Sequence, residues 1–183
     1  MNQEFSAGSR ELLISKMNDY LFFKSEDGRF CLKISKNISD GILLICTASG
    51  NYEAGGILAG YYTSGKDIAV VTSYSTPPKD SRSGLHWYYR GISGLQGWLR
   101  KLWKKREYYL GEWHFHPMAS AYYSSVDAKQ MFSIASSPSY SCPEPILLII
   151  GGNPSDRWEI KTFVFPQGSK VKEMFLAKVV ESD

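Results

Sequence analysis

The chain has 183 residues, of which 43% are hydrophobic and 21% charged, with a net charge of +3. That length suits one domain with a real core, and the balance excludes disordered, collagenous and low-complexity classes. The mild positive excess does not by itself call for nucleic acid or a membrane as partner, and the longest apolar runs, residues 41–46 and 146–150, fall far below the roughly 20 residues that span a bilayer.

In chain order, residues 1–18 read as an N-terminal extension, frayed over the first eight and a short helix over 9–17, before a domain at 19–183. Residues 20–23 and 29–34 predict a hairpin around Glu26-Asp27-Gly28. Ser39 is the predicted N-cap of a helix carrying Ile42, Leu43, Ile45 and Cys46 and stopping at Ser49-Gly50-Asn51. Two strands follow, 54–63 and 67–74, with a turn at Ser64-Gly65. Residues 75–84 form a long polar loop with paired prolines, the kind that often binds, and 85–90 a short aromatic strand. Ile92, Leu95, Leu99 and Leu102 recur at three- and four-residue steps, the signature of one buried helix face. A strand over 108–116 ends at Pro117, and a helix covers 124–135. The continuous apolar run 146–150 predicts a central strand buried on both faces. Residues 158–165 alternate as a strand, and 170–180 predict a last helix. Interleaved strands and helices give an α/β fold, a single-domain mixed sheet flanked by helices.

Cys31, Cys46 and Cys142 are odd in number and widely spaced, as reduced thiols are, and the first residues carry no secretory pattern. A cytoplasmic protein is the expectation.

The chemistry concentrates in residues 111–127. Strand residues two apart share a face, so His114 and His116 project together while Trp113 and Phe115 point the other way. Ser124 would cap the next helix, which places Asp127 in its first turn. Two imidazoles and a carboxylate suit a zinc ion with three protein ligands, leaving one position open as catalytic zinc requires. The plainer readings are a capping box at Ser124–Asp127 and a surface pair of histidines. Glu112, two residues before His114 on the same face, could orient an imidazole or line a substrate groove. As general base it fits less well, because the strand holds it one pleat, roughly 6.6 Å, from His114.

His-x-His-Pro, seven residues, then Ser-x-x-Asp resembles the signature of the JAMM metalloproteases, the active members of the MPN (Mov34/PAD-1) family. The segment Asn51-Tyr-Glu-Ala-Gly-Gly-Ile-Leu-Ala-Gly60 is similar to that family's E-x-G-G-I-L-x-G segment, which places the family's glutamate at Glu53. The likeness covers residues 38–165 and implies the MPN/JAB, cytidine-deaminase-like sandwich. It implies a Zn2+ ion on His114, His116 and Asp127, Glu53 as base and then acid, and Ser124 as a donor to the developing oxyanion. Gly55 and Gly56 lack side chains. Either an extended, small-residue substrate tail pairs beside them, or they mark a bulge or tight packing. The pattern departs at Phe115, where Ser or Thr is common. The chain also has no long insertion of the kind that eukaryotic ubiquitin-chain cleavers use, which argues against polyubiquitin.

The runs His-Phe-His-Pro, Cys-Pro-Glu-Pro-Ile-Leu-Leu-Ile-Ile-Gly-Gly and Pro-Pro-x-Asp-Ser look like compact bacterial JAB-domain peptidases. Those occur with ubiquitin-activating and ubiquitin-conjugating enzyme relatives and a nucleotidyltransferase, notably in type II CBASS anti-phage operons. The likeness implies an isopeptidase that releases a conjugated cyclic-nucleotide synthase at its C-terminal tail. The alternatives are desampylase-like release of a small ubiquitin-like or sulfur-carrier protein, and a non-catalytic MPN scaffold or nucleic-acid-binding module. Scaffold members generally lose a ligand, and this chain keeps them all. The cluster Arg100, Lys101, Lys104, Lys105 and Arg106 suits a helix C-terminus, or with Trp98 or Trp103 an acidic partner or RNA. His86 has no ligand-like neighbour in the sequence.

Overall fold

The first strands are set by a turn that satisfies its own polar groups. In the computed structural model, which describes residues 20–180, β1 (Tyr20–Ser25) and β2 (Cys31–Ser35) form the expected hairpin. Ser25 Oγ donates to Asp27 Oδ1 at 2.7 Å and accepts from the Phe30 N–H at 3.0 Å. The predicted helix at 9–17 lies outside the described residues.

Helix α1 (Lys36–Ser49) follows β2 directly. Its cap is Ser35, whose side chain accepts from Ile38 N, and not Ser39. Ser39 sits one turn inside, buried, donating to Lys36 O at 2.9 Å. Ser35 is the last residue of the strand and so already has the extended backbone that a cap needs. Next come β3 (Ala54–Tyr62) and β4 (Ile68–Tyr74), paired antiparallel as expected. The predicted aromatic strand at 85–90 is only β6 (Tyr88–Tyr89), paired with β5 (Arg82–Ser83) in a small ribbon. Helix α2 (Leu95–Trp103) buries Leu95 and Leu102, while Ile92 precedes it and is exposed. The remaining elements are β7 (Tyr108–Pro117), α3 (Ser125–Ser136), β8 (Ile146–Gly152), β9 (Trp158–Val164) and β10 (Lys172–Val180).

Two expectations are corrected here. Residues 172–180 are a strand and not a helix, pairing antiparallel with both β1 and β9. Because β10 joins them, the sheet does not stay an open sandwich layer. It closes into a barrel in the order β1-β10-β9-β8-β7-β3-β4-β2, with β2 returning to β1. The fold is mixed α/β, with parallel pairing at β2–β4 and β7–β8.

Alternation along β8 divides the core in two. Ile146, Leu148 and Ile150 join a cluster with Ile42 and Cys46 of α1 and with Trp113 and Phe115. Leu147 and Ile149 join another with Met131 and Ile134 of α3 and Leu95 of α2. Helices therefore cover both faces of the β7–β8 region, which is why β8 reads as unbroken apolar sequence.

A β-bulge in β7 matters for the site. Leu58 of β3 pairs with Gly111 but Ala59 pairs with Tyr109, so Leu110 is an extra residue. Gly111 has φ 154°, and a Cβ there would collide with the Ile146 carbonyl. The bulge resets the alternation, so Tyr109 shares a face with Glu112 while Leu110 turns inward with Trp113.

Candidate metal centre

β7 lies between β3 and β8, with His114 opposite Gly55 on one side and Ile149 on the other. Trp113 and Phe115 are fully buried on one face, and the Trp113 indole N–H donates to Ser75 O at 3.0 Å. That packing fixes the strand, so His114 and His116 both point to the opposite face, their ring centroids 6.4 Å apart. After Pro117 the connection is pinned over β8: Met118 N–H donates to Gly152 O at 3.0 Å and Ala121 N–H to Glu159 Oε1 at 3.0 Å. It delivers Ser124 as the N-cap of α3, with Asp127 in the first turn.

The capping box and the ligand reading do not exclude each other, because the box uses one oxygen of Asp127 and leaves the other facing His114. Asp127 Oδ2 accepts from Ser124 N–H and from Ser124 Oγ, each at 2.7 Å, while Ser124 Oγ takes Asp127 N–H at 3.1 Å. Oδ1 faces His114 Nδ1 at 3.0 Å, and Oδ2 lies 3.8 Å from His116 Nε2. Donor atoms of His114, His116 and Asp127 all lie within 4.8 Å of one another.

The electrostatics follow from this crowding. Burial alone would raise the Asp127 carboxyl, but hydrogen bonds from His114 and Ser124 hold it far below the usual range. Burial would lower His114, yet its bonds to Asp127 and Glu112 push it up to about 9. His116 is lowered, by burial first and then by the charge on His114.

Glu53 stands at the entrance to β3, half-buried, its N–H donated to Gly84 O at 3.0 Å. Burial raises its carboxyl, the charge of Asp127 adds to that, and His114 and His86 oppose it. Glu53 directly precedes Ala54, the partner of Phe115, so the register of β3 on β7 brings it to the end of β7 that carries His114 and His116. His86 is exposed, and the structure adds that it is felt at Glu53. At Gly55 a Cβ would press on Trp113 O and the Tyr88 ring at 2.8 Å; at Gly56 it would meet Ser75 and Trp113 Nε1. Close packing therefore accounts for both glycines. Tyr88 OH donates to Gly55 O at 2.7 Å, and its ring stands edge-on to His114 at 6.1 Å.

Glu112 is fully buried beside His114, its Oε2 at 3.3 Å from His114 Nε2. Burial opposes its ionisation, but His114 and Arg90 outweigh that and lower its carboxyl. Its further partners, Arg90, Tyr109 and Gln130, are not expected from the sequence. Gln130 carried a usable signal, being three residues after Asp127 on one helix face. Arg90 carried none, since 22 residues separate it from Glu112.

The basic residues 100, 101 and 104–106 are all exposed on either side of the buried Leu102, with Arg100 and Lys101 in the last turn of α2. No helix among the described residues is long and apolar enough to cross a membrane.

Comparison with known proteins gives the same answer by independent routes. The model of a family described as prokaryotic homologs of the JAB domain matches residues 36–161. A curated protein of Enterobacter hormaechei subsp. hoffmannii (strain UCI 50), named CD-NTase/cGAS isopeptidase, is 37% identical over 146 residues, 80% of this chain and 81% of that one. The solution structure of protein DSY2949 from Desulfitobacterium hafniense superposes with a TM-score of 0.58 at 20% identity, covering 76% of this chain and 87% of that one; at that identity the likeness speaks for the fold. With more than half of its length matched, the chain belongs to the prokaryotic JAB-domain group of the JAMM/MPN family.

Proposed function

We propose that the protein is a zinc-dependent isopeptidase that cleaves after the C-terminus of a conjugated protein and so reverses conjugation. The observation that carries this reading is the convergence of His114, His116 and Asp127 beside Glu53. Two imidazole nitrogens and one carboxylate oxygen are a donor set that catalytic zinc takes, so the residues fit the ion. When bound, zinc supplies Lewis acidity and brings the pKa of water from about 15.7 toward about 7.

Glu53 accepts a proton on its carboxylate and returns it to the departing amine nitrogen. Its raised pKa suits that exchange, and no hydrogen bond holds its carboxylate among the described residues. Ser124 anchors Asp127 through both N–H and hydroxyl. The hydroxyl donates to the developing oxyanion when it turns from Asp127, and the N–H keeps the carboxylate in place. The catalytic unit is residues 19–183, wider than the matched 36–161, because β1 and β10 complete the barrel.

The relative's name supports a CD-NTase as the conjugated substrate. Operon-encoded ubiquitin-activating and ubiquitin-conjugating relatives are proposed as partners on the family likeness alone. The free thiols of Cys31, Cys46 and Cys142 suit action in the cytoplasm. The test uses two isopeptide-linked reporters, one joined through a CD-NTase C-terminal tail and one through a small ubiquitin-like protein. The zinc-loaded protein cuts the first after its last residue, and chelation stops it. Preference for the second reporter would favour desampylase-like release, and zinc binding with neither reporter cut would sink the reading.

A further inference from the structure

The position of Glu112 requires a cause. A carboxylate sealed from water is unfavourable unless it is paired, and an apolar side chain would fill that part of β7 without such a demand. Glu112 is fully buried, and donors occupy both of its oxygens. Oε1 accepts from Arg90 Nε at 3.0 Å, Arg90 Nη2 at 2.8 Å and Tyr109 OH at 3.3 Å. Oε2 accepts from Gln130 Nε2 at 3.0 Å and lies 3.3 Å from His114 Nε2.

These donors reach Glu112 from separate parts of the fold. Arg90 follows β6, and its guanidinium also donates to Gly91 O at 3.2 Å, which fixes its fork. Gln130 stands on α3, the helix that carries Asp127. Tyr109 reaches the same oxygen as Arg90 only because the bulge at Leu110 turns it to that face. So many elements brought onto one carboxylate hold it still. The one partner of Glu112 that is itself a candidate ligand is His114.

His114 has one nitrogen on each side. Nε2 faces Glu112, and Nδ1 faces Asp127 Oδ1 at 3.0 Å. An imidazole that gives one N–H to a fixed acceptor is locked in ring orientation and tautomer, and the other nitrogen is left as the ligand.

We propose that Glu112, clamped by Arg90, Tyr109 and Gln130, is the positioning residue of the site: it takes the Nε2–H of His114 and turns Nδ1 toward Asp127 and His116. This rests on the metal reading above. It assigns Glu112 no contact with substrate and no part in proton transfer, which leaves Glu53 as the group that moves the proton.

The test combines zinc affinity, measured by chelator competition, with nitrogen NMR of the imidazoles in the zinc-loaded protein. In the wild type, His114 is metal-bound at Nδ1 and protonated at Nε2. Glu112→Gln weakens zinc binding by roughly 10- to 100-fold, the usual effect of losing such a partner, and its His114 signal splits between orientations. Because Glu112→Gln leaves Arg90 without an anion, the double variant Arg90→Met/Glu112→Leu is measured beside it. That variant keeps the fold, with an apolar pair in place of the charged one, and still binds zinc at least tenfold more weakly. Zinc bound through His114 Nε2 in the wild type, or wild-type affinity in the folded double variant, overturns the proposal. Glu112→Gln that loses turnover at saturating zinc with unchanged affinity overturns it too, since Glu112 would then belong to the proton transfer. A wild type that takes up no zinc fails at the earlier step, and the metal reading falls along with this one.

Discussion

The entrance of β3 and the interior of β7 each bring a glutamate to His114, and the two are treated in opposite ways. Glu53 is half-buried, with a hydrogen bond to its backbone N–H and none to its carboxylate among the described residues, and burial raises its pKa. Glu112 is fully buried, has donors on both oxygens, and is lowered by His114 and Arg90 in spite of its burial. On the proposed roles, the group that takes and releases a proton is left loose and less acidic. The group that holds a neighbour still is saturated and kept ionised.

The largest effect that sharpens this contrast is expected from Glu53→Gln. Turnover falls by about 10²- to 10⁴-fold, the range for losing a general acid–base group, while zinc content by metal analysis stays at the wild-type level. Loss of the metal in that variant would break the contrast, because Glu53 would then be acting as a ligand or its support.

Arg90→Met attacks the other side. It strands Glu112 as a buried, poorly compensated charge, and removing one partner of such a pair costs about 3–5 kcal/mol. Denaturant unfolding should show that loss in Arg90→Met, whereas Glu53→Gln, which breaks no side-chain hydrogen bond among the described residues, stays within about 0.5 kcal/mol of the wild type. Equal stabilities would mean that the saturation around Glu112 has no energetic weight.

Ser124→Ala tests the third anchor of the same network. Removing the cap costs about 1 kcal/mol of stability, and losing an oxyanion donor lowers kcat by about 10²- to 10³-fold. A stability loss with kcat intact would leave Ser124 as a cap and an anchor for Asp127 only.

The smallest effect is expected far away, in the β1–β2 turn. Asp27, ordinarily near 3.8, is held down to about 2 by Ser25, the Arg29 N–H and Lys172. A depressed carboxyl stabilises the fold above its unfolded pKa and loses that contribution as pH falls through its folded one. Asp27→Asn should therefore lower Tm slightly above about pH 4, with the difference vanishing toward pH 2 and zinc affinity unchanged throughout.

The site was more legible than the sheet that carries it. His114, His116 and Asp127 are near in sequence, and strand alternation followed by one helical turn is enough to bring them together. Glu53 needed a family likeness, because only the pairing of β3 with β7 brings it near. Residues 172–180 point to a helix in the sequence because Lys, Glu, Met, Leu and Ala favour one locally. Pairing with β1 and β9 overrides that preference, and no local pattern announces it. The barrel is illegible for the same reason, since β10 is its closing strand. Glu112 was seen as a candidate, but its partners depended on a bulge and on a contact across 22 residues.

The ring of strands also bears on how the protein fails. An open sheet must guard its outermost strands with prolines, charges or irregularities against self-association. Here β8, with its apolar run of Ile146 to Ile150, is hydrogen-bonded to β7 on one flank and β9 on the other. Among the described residues the barrel presents no such margin, so the hazard of that run exists only before the ring shuts. Losses should therefore appear as concentration-dependent clumping during refolding, while the folded protein stays dispersed.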